Sequence, residues 1–178
     1  MNRIVFSLLL CLTFISCFER QQRKPIVEPN IDPSINDTSF VVSENFSKGD
    51  VRRYGVFPNK EIESTLLQNV LQLAEGGLPI TFPEGYYPVN IYLKGVEDVK
   101  INFKNVVLGG SLYIIDHENK ESERIAINGK LTILDKLFIR KSNNIRFEKL
   151  NVKTDTTRNL YRTNNRGVSI YAGSNKIE

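Results

Sequence analysis

The chain contains LKGVEDVKI at Leu93–Ile101 and, 46 residues later, the matching stretch IRKSNNIRF at Ile139–Phe147. The match extends to Asn105-Val106 against Asn151-Val152, and a similar corner recurs at Gly173–Ile177. An offset of 46 residues fits two coils of a parallel β-helix of roughly 23 residues each, which is a usual size for solenoid repeats. The repetition predicts a solenoid with outward Asn, Ser and Lys side chains at its bends and apolar side chains inside.

Short segments rich in β-branched and aromatic residues surround this repeat, and turn signals separate them. The turn signals are Pro83-Glu84-Gly85, Gly109-Gly110, Asn128-Gly129 and Ser142-Asn143-Asn144. The sequence therefore predicts an all-β fold whose coils begin at about residue 79. The predicted strands are Ile80–Phe82, Val89–Leu93, Val99–Leu108, Leu112–Ile115, Arg124–Ile127, Leu131–Leu134, Leu137–Arg140, Ile145–Val152 and Val168–Tyr171.

One amphipathic helix is predicted ahead of the strands. Apolar residues recur at largely helical spacing over Lys60–Ala74, Asn59 is a suitable N-cap, and Gly76-Gly77 ends the pattern. The first coil of a solenoid needs a covering element, because its strands would otherwise leave backbone groups unpaired. We expect the helix to supply this cap.

The first 17 residues have the layout of a secretory signal. Arg3 provides a positive charge, Ile4–Ile15 is an apolar run, and Ser16 precedes Cys17. The run is shorter than the roughly 20 apolar residues that a membrane-spanning helix needs. We therefore predict that residues 1–16 are removed on export.

The stretch Phe14-Ile15-Ser16-Cys17 resembles the bacterial lipobox, in which the cysteine is acylated and becomes the new N-terminus. The only other cysteine, Cys11, lies in the removed segment and leaves Cys17 without a disulfide partner. The alternative is an ordinary signal peptide that leaves Cys17 as a free thiol. Several acyl chains give lasting attachment, so we expect a lipid anchor at Cys17 in a bacterial membrane, at the outer membrane or cell surface. Residues 17–47 then form a flexible tether, and residues 48–178 form the β-helix domain.

The charge balance narrows the choice of partners. The formal net charge of +4 is small for a dedicated nucleic-acid binder, so no nucleic-acid partner is expected. From Lys136 onward, however, ten Lys or Arg residues face only Glu148, Asp155 and Glu178. A region of one sign attracts an anionic partner such as an acidic polysaccharide, or it is simply a solvated outer face, and the pattern favours the second interpretation.

Four segments follow one another at the start of the domain: VRRYGV at Val51–Val56, STLLQNVL at Ser64–Leu71, Gly76-Gly77 and ITFPEGYYPV at Ile80–Val89. Their order and spacing resemble the N-terminal part of the pectate-lyase-like right-handed β-helix superfamily. In that superfamily a V-x-x-[FY]-G-A segment precedes a capping helix, a G-G pair, an apolar strand and P-x-G-x-Y. The acidic stretch G-D-G-x-x-D-D-T of the superfamily is replaced here by Phe57–Ser64, which bears on the subfamily and not on the fold.

The resemblance implies polysaccharide handling, since the superfamily includes lyases, glycoside hydrolases, epimerases and noncatalytic binding members. Its catalytic residues usually lie on central coils beyond the portion present here, and no Asn-Thr-Asp, Asp-Asp or Gly-His-Gly string occurs. The corner at Ser174–Glu178 stops where others continue into a strand. We therefore expect a chain that lacks the catalytic coils and is incomplete at its C-terminal end.

Two regions carry candidate site residues. The only histidine, His117, lies in the polar stretch Asp116–Glu123, which we interpret as a solvated loop and not as a metal site. The insertion Thr154–Arg166 is either a plain surface loop, which the composition favours, or a glycan-binding segment that holds carboxylates and stacks on a sugar ring. No metal or cofactor is predicted. The candidate glycan-binding residues are Arg158, Tyr161, Arg162 and Arg166.

Two hypotheses remain open. The first is a membrane-anchored member of a polysaccharide-degrading or modifying family, of the lyase or glycoside hydrolase type, active only with further coils. The second is a noncatalytic glycan-binding or structural lipoprotein. They differ in the carboxylates they require, because hydrolysis needs an acidic pair and a lyase needs a base with a cation.

Overall fold

The computed structural model describes residues 37–153 and 167–178. Within these ranges the chain forms two short 3-10 turns, Asp37–Ser39 and Val51–Tyr54, one helix, α1 (Ser64–Glu75), and ten strands. The strands are β1 (Ile80–Phe82), β2 (Gly85–Tyr87), β3 (Ile91–Lys94), β4 (Lys100–Leu108), β5 (Leu112–Ile115), β6 (Ser122–Ile133), β7 (Lys136–Arg140), β8 (Ser142–Val152), β9 (Gly167–Ile170) and β10 (Asn175–Ile177).

All the strands pair in parallel, in two sheets. The first sheet has the order β1-β4-β6-β8-β10, with β2 also paired to β4, and the second has the order β3-β5-β7-β9. Because the chain alternates between the sheets and advances by one strand each time, it winds into a β-solenoid of about three turns. The predicted all-β parallel solenoid is confirmed.

The internal repeat corresponds to two coils of this solenoid. Leu93 pairs with Ile114, which pairs with Ile139, so that two coils advance the second sheet by 46 residues. In the first sheet Ile101 reaches Phe147 through Ile127 in the same way. The coils are uneven, however, since the steps from Leu93 and from Ile114 are 21 and 25 residues.

The register predicted from the repeat is wrong beyond Phe147. Val106 pairs with Leu131, which pairs with Leu150 and not with Val152. The cause is a pair of register shifts, one between Phe103 and Val106 and one beyond Ile127, so that the match of Asn105-Val106 with Asn151-Val152 in the sequence is not a structural one.

The repeated corner has a backbone explanation. Asp98, Arg124, Asn144 and Lys176 all adopt positive φ angles, between 50° and 57°. The strand pairing places the last three side by side on successive coils, and the bridge between Glu97 and Glu123 places Asp98 next to Arg124. A left-handed residue turns the chain sharply, and Asn and Asp tolerate this conformation better than most residues. The motif in the sequence thus marks one bend of each coil.

The interior is mainly apolar, as predicted, although a few polar residues are buried as well. Phe82, Phe103 and Ile127 stack along the axis with exposures of 2% or less, and burying a side chain of this size contributes about 1.5–3 kcal/mol. The predicted outward serines are wrong for Ser122 and Ser142, which are fully buried. Their hydroxyls donate to the carbonyl oxygens of neighbouring strands and so satisfy backbone groups inside the bend.

Helix α1 covers the first coil, where it contacts β1 and β3. It begins at Ser64 and not at Lys60, and the predicted N-cap is wrong. Asn59 instead adopts a φ of 58° and donates its backbone N–H to the carbonyl of Tyr86, and the position before the helix is occupied by Glu63, whose side chain makes no capping bond. The predicted helix was too long because apolar spacing at Ile62 continues the pattern ahead of the true start.

Two strand predictions also need correction. The predicted strands Arg124–Ile127 and Leu131–Leu134 are parts of one strand, β6, which ends at Ile133, because Asn128-Gly129 forms a bulge and not a turn. The predicted turn at Pro83-Glu84-Gly85 is shorter than expected, since β2 already begins at Gly85. Likewise, the predicted turn Ser142-Asn143-Asn144 is the first part of β8.

Residues ahead of Lys48 also join the fold. Phe40 and Val42 pack against the core. Ser43 donates its backbone N–H to the carbonyl of Arg53. The guanidinium of Arg53 donates a hydrogen bond to the carbonyl of Phe46. Within the described part of the chain, no helix is both long and apolar enough to cross a membrane.

Candidate functional site

All five residues assigned to a site from the sequence lie outside the described residues. These are the predicted lipidation site Cys17 and the candidate glycan-binding residues Arg158, Tyr161, Arg162 and Arg166. Their roles stay predictions.

The stretch around His117 is a tight hairpin. The backbone N–H of His117 donates to the carbonyl of Lys120 and the reverse bond also forms, with Glu118 and Asn119 at φ angles of 47° and 67°. Two successive positive φ angles define a type I′ turn. The His117 ring is half-exposed, and its Nε2 lies 3.8 Å from Glu118. The described residues contain no group of three or more His, Cys, Asp or Glu side chains that would hold a metal ion.

A second acidic group surrounds Arg124, one of the left-handed corner residues. Its guanidinium bonds to Glu97, lies 2.6 Å from Asp98 and lies 3.0 Å from Glu123. The hydrogen bond from Arg124 lowers the pKa of Asp98, and the positive charge of Arg124 lowers that pKa further. Asp98 is therefore kept ionised, whereas a general acid must be protonated at its working pH, and all three carboxylates form ion pairs with Arg124.

Asp116 is neutralised in the same manner. Arg140 Nε lies 2.7 Å from one of its oxygens, and Lys141 Nζ lies 3.4 Å from the other. Burial acts to raise the pKa of Asp116, but the hydrogen bonds and charges of Arg140 and Lys141 outweigh it and lower the pKa. Two cations of the basic C-terminal region, Arg140 and Lys141, are thus already paired with Asp116.

The outer face of the first sheet carries cations that are not paired. We call this surface the basic face and define it by Lys100, Lys104, Lys130, Arg146 and Lys149, all of which are exposed. None of the five forms an ion pair with another residue in the described ranges. The one acidic residue at the centre of the face, Glu148, accepts a hydrogen bond from the backbone N–H of Gly129. The face therefore has a net positive charge, although Lys104 also interacts electrostatically with Asp50.

The strand register aligns these cations in two columns. Lys130 is directly opposite Lys149 in neighbouring strands, and Lys104 lies in the bulge that faces Lys130 on the other side. Lys100 and Arg146 form the second column, separated by Ala126. Parallel strands lie about 4.8 Å apart, and like charges directly opposite each other destabilise a sheet. The Lys130 and Lys149 pair therefore costs stability unless an anion lies between or above them.

Side-chain amides lie between the two columns. Asn128 Nδ2 donates to Asn102 Oδ1 over 2.9 Å, and Asn102 Nδ2 donates to Thr81 Oγ1 over 3.4 Å. Because an amide has two donor hydrogens and two acceptor lone pairs, this ladder keeps hydrogen-bonding capacity for a polar ligand. Cations beside neutral amides are suited to a ligand that carries both carboxylates and hydroxyl groups.

The outer face of the second sheet has a different character. Tyr92 and Tyr113 stack with ring centroids 4.7 Å apart and planes 6° apart, and the stack continues through Phe138 to Tyr171. Lys136 Nζ lies 4.5 Å from the Phe138 centroid, and Lys94 Nζ lies 5.3 Å from that of Tyr92. Tyr92 is buried and the rings contact one another across successive coils, whereas Tyr171 at the end of the stack is half-exposed. The ring contacts on this surface therefore stabilise the coils.

Only part of the basic face is evident from the sequence. Arg146 and Lys149 belong to the basic C-terminal region, but Lys100, Lys104 and Lys130 lie in segments of mixed charge. The signal that connects them is the strand register, because Lys104, Lys130 and Lys149 are about one coil apart. Uneven coil lengths hide this spacing in the sequence.

The fold and its surfaces define the class: a parallel β-solenoid with an N-terminal covering helix and a basic face on one sheet. Comparison with family models, with curated proteins and with solved structures finds no match to this chain.

Proposed function

We propose that this protein is an exported bacterial lipoprotein, anchored through Cys17, whose β-solenoid binds an acidic polysaccharide on its basic face. We further propose that the solenoid belongs to the pectate-lyase-like superfamily, as the segments from Val51 to Val89 suggest. The binding role is noncatalytic in the chain considered alone. A degrading or modifying activity of the lyase or hydrolase type would need acid–base groups beyond those described.

The observation that carries the binding role is the basic face. Lys104, Lys130 and Lys149 are exposed, stacked on successive coils and without ion-pair partners among the described residues. A polyanion would relieve the repulsion between opposed lysines and gain several charge contacts at once. The amides of Asn102 and Asn128 would serve the sugar hydroxyl groups.

The carboxylates support the noncatalytic alternative. Glu97, Asp98 and Glu123 bond to Arg124, and Asp116 bonds to Arg140 and Lys141. A glycosidase needs one carboxylic acid held protonated at its working pH, whereas Arg124 lowers the pKa of Asp98, and Arg140 and Lys141 lower the pKa of Asp116.

A pair of glycans with the same backbone tests the binding role. The ligands are a polyuronate and the same polymer after reduction of its carboxyl groups to alcohols, and the protein is the exported chain carrying Cys17→Ser. We expect calorimetry to show binding to the polyuronate that weakens as salt is added, and much weaker binding to the reduced polymer. Equal affinity for both polymers would contradict an electrostatic role for the basic face. Shortening of the polyuronate by the chain itself would contradict the noncatalytic assignment.

The anchor is tested separately. Wild-type protein should fractionate with bacterial membranes and carry fatty acyl chains on Cys17 by mass spectrometry, whereas Cys17→Ser should be released in soluble form. A mature N-terminus at any other residue, with Cys17 unmodified, would refute lipidation and leave the glycan proposal unaffected.

A further inference from the structure

Gln68 lies at a cleft between α1 and β3, and one atom of its amide is buried without a hydrogen-bond partner among the described residues. The residue is only 3% exposed, and its Nε2 makes no hydrogen bond among the described residues. One helical turn later, Gln72 Oε1 is also buried and unpartnered in that same part of the chain. A buried polar group without a partner destabilises the folded state, so two such atoms on successive turns of one helix require an explanation.

Gln68 and Gln72 both line one small cleft. The cleft is bounded by α1 on one side and by the outer edge of β3 on the other, and its volume is about 10 Å³. A volume of roughly 10–15 Å³ holds one water molecule, provided that polar partners are present. Anything larger, such as a sugar or a phosphate, does not fit without moving the helix.

We propose that this cleft binds a single water molecule, which accepts a hydrogen bond from Gln68 Nε2 and donates one to Gln72 Oε1. Water is the ligand of the right size that is both donor and acceptor. It therefore bridges the two amides even if either is rotated by 180°, which exchanges its oxygen and nitrogen. The exposed carboxylate of Glu75 at the edge of the cleft supplies a further acceptor.

The water would help to attach the covering helix to the first coil. On the β3 side the cleft is lined by Tyr92, Leu93, Lys94 and Val96, and on the helix side the polar atoms at Gln68 and Gln72 alternate with apolar contacts from Leu71. A bridging water makes the polar atoms compatible with this packing, because it satisfies both amides at once.

A high-resolution crystal structure of the wild-type mature chain gives the direct test. We expect one ordered water within hydrogen-bond distance of both Gln68 and Gln72. A cleft without such a water, or one in which the two amides bond to each other, would overturn the proposal. This test needs no variant, so it stands even if a substituted chain fails to fold.

Equilibrium unfolding in urea gives the second test, with Gln68→Met, Gln72→Met and the double variant. Methionine has nearly the helix propensity of glutamine, so the backbone contribution changes little. Each single variant should lower the folding equilibrium constant about tenfold, because the remaining amide loses part of its hydrogen bonding. The double variant should return to within a few-fold of wild type.

The control is Thr65→Met, an equally apolar substitution at an exposed position of the same helix. It should leave the folding equilibrium constant within a few-fold of wild type. Additive losses in the double Gln variant would show that the two amides are not linked through a shared water, and would overturn the proposal.

Discussion

The outer faces of the two sheets use lysine side chains in opposite ways. On the second sheet, Lys94 and Lys136 are each 6% exposed and lie over aromatic rings. On the first sheet, Lys104, Lys130 and Lys149 are exposed and have no ion-pair partner among the described residues. The same strand spacing stacks rings on one face and positive charges on the other. One face thus carries ring contacts that stabilise the coils, and the other presents positive charge to the solvent.

This difference separates stability from binding in a way that substitutions can measure. Changes on the second sheet should lower the free energy of unfolding and leave glycan binding intact. Changes to the lysines of the basic face should do the reverse. Changes to the backbone of the bulge at Gly129, beside Lys130, should lower both the free energy of unfolding and the affinity for the glycan.

Gly129→Ala tests that place and should have the largest effect. Gly129 has a φ of 78°, and an added Cβ would lie well inside contact distance of the Phe103 carbonyl oxygen. The left-handed conformation costs an alanine about 1–2 kcal/mol, and the clash with backbone adds to this. We expect the free energy of unfolding, measured in urea, to fall by about 3 kcal/mol or more.

The matched control is Gly77→Ala, because Gly77 has a φ of 85° but no atom within 4 Å of its added Cβ. It should lose only the conformational part, about 1 kcal/mol. Equal losses at the two glycines would show that the bulge beside Lys130 adapts to a side chain, and that the geometry of the basic face is not fixed by close packing.

Replacing Lys104, Lys130 and Lys149 together by glutamine should weaken polyuronate binding about ten- to hundredfold. This estimate takes up to about 1 kcal/mol for each exposed charge contact. Stability should stay the same or rise slightly, because the repulsion between Lys130 and Lys149 disappears. Calorimetric titration and urea unfolding measure the two quantities on the same preparation.

A second triple variant, Lys60, Lys120 and Lys176 to glutamine, removes the same charge from other exposed positions. It should bind the polyuronate nearly as well as wild type. If both triple variants lose affinity equally, net charge and not the basic face drives binding, and the contrast between the two sheets has no functional meaning.

The solenoid was predictable from the sequence because its most informative corners repeat. The left-handed residue of each corner follows a polar residue and precedes an apolar one, as in Asn143-Asn144-Ile145 and Asn175-Lys176-Ile177. The equivalent corner at Glu123-Arg124-Ile125 was not predicted from the sequence. The hairpin at Asp116–Glu121 lengthens the coil before it and displaces it from the expected spacing.

The basic face could not be predicted in the same way. A charge pattern in one segment shows which residues are cationic, but only the register shows which of them are adjacent across strands. The bulges near Phe103 and Ile127 change that register by amounts that no local signal reports. The same limitation applies to Arg140 and Lys141. They form ion pairs with Asp116 on a neighbouring coil, and the sequence alone does not show this contact.

Phe138→Ala tests the second sheet and should have an intermediate effect. Phe138 packs between Tyr113 and Tyr171 in the aromatic stack, and its ring also lies under Lys136. Loss of a half-buried ring with its stacking contacts should lower the free energy of unfolding by about 2 kcal/mol. Polyuronate affinity should not change. Phe138→Leu keeps apolar area without the ring, so it should lose about half as much; reduced glycan binding by either variant would break the separation of the two faces.

The smallest expected effect is a pH dependence at Lys136. Burial lowers the pKa of this lysine below its usual 10.5, although Asp135 acts weakly in the opposite direction. The folded protein then loses this proton at a lower pH than the unfolded chain does. Stability therefore rises with pH between the lowered pKa and 10.5, because the unfolded chain binds more protons there.

Lys136→Met removes this titration and keeps a flexible apolar side chain over the ring. In urea unfolding measured from pH 8 to pH 10.5, the wild type should gain stability relative to Lys136→Met as the pH rises. Parallel pH profiles for wild type and Lys136→Met would mean that the ammonium group of Lys136 reaches water despite its position over Phe138. The second sheet would then also present charge to a partner.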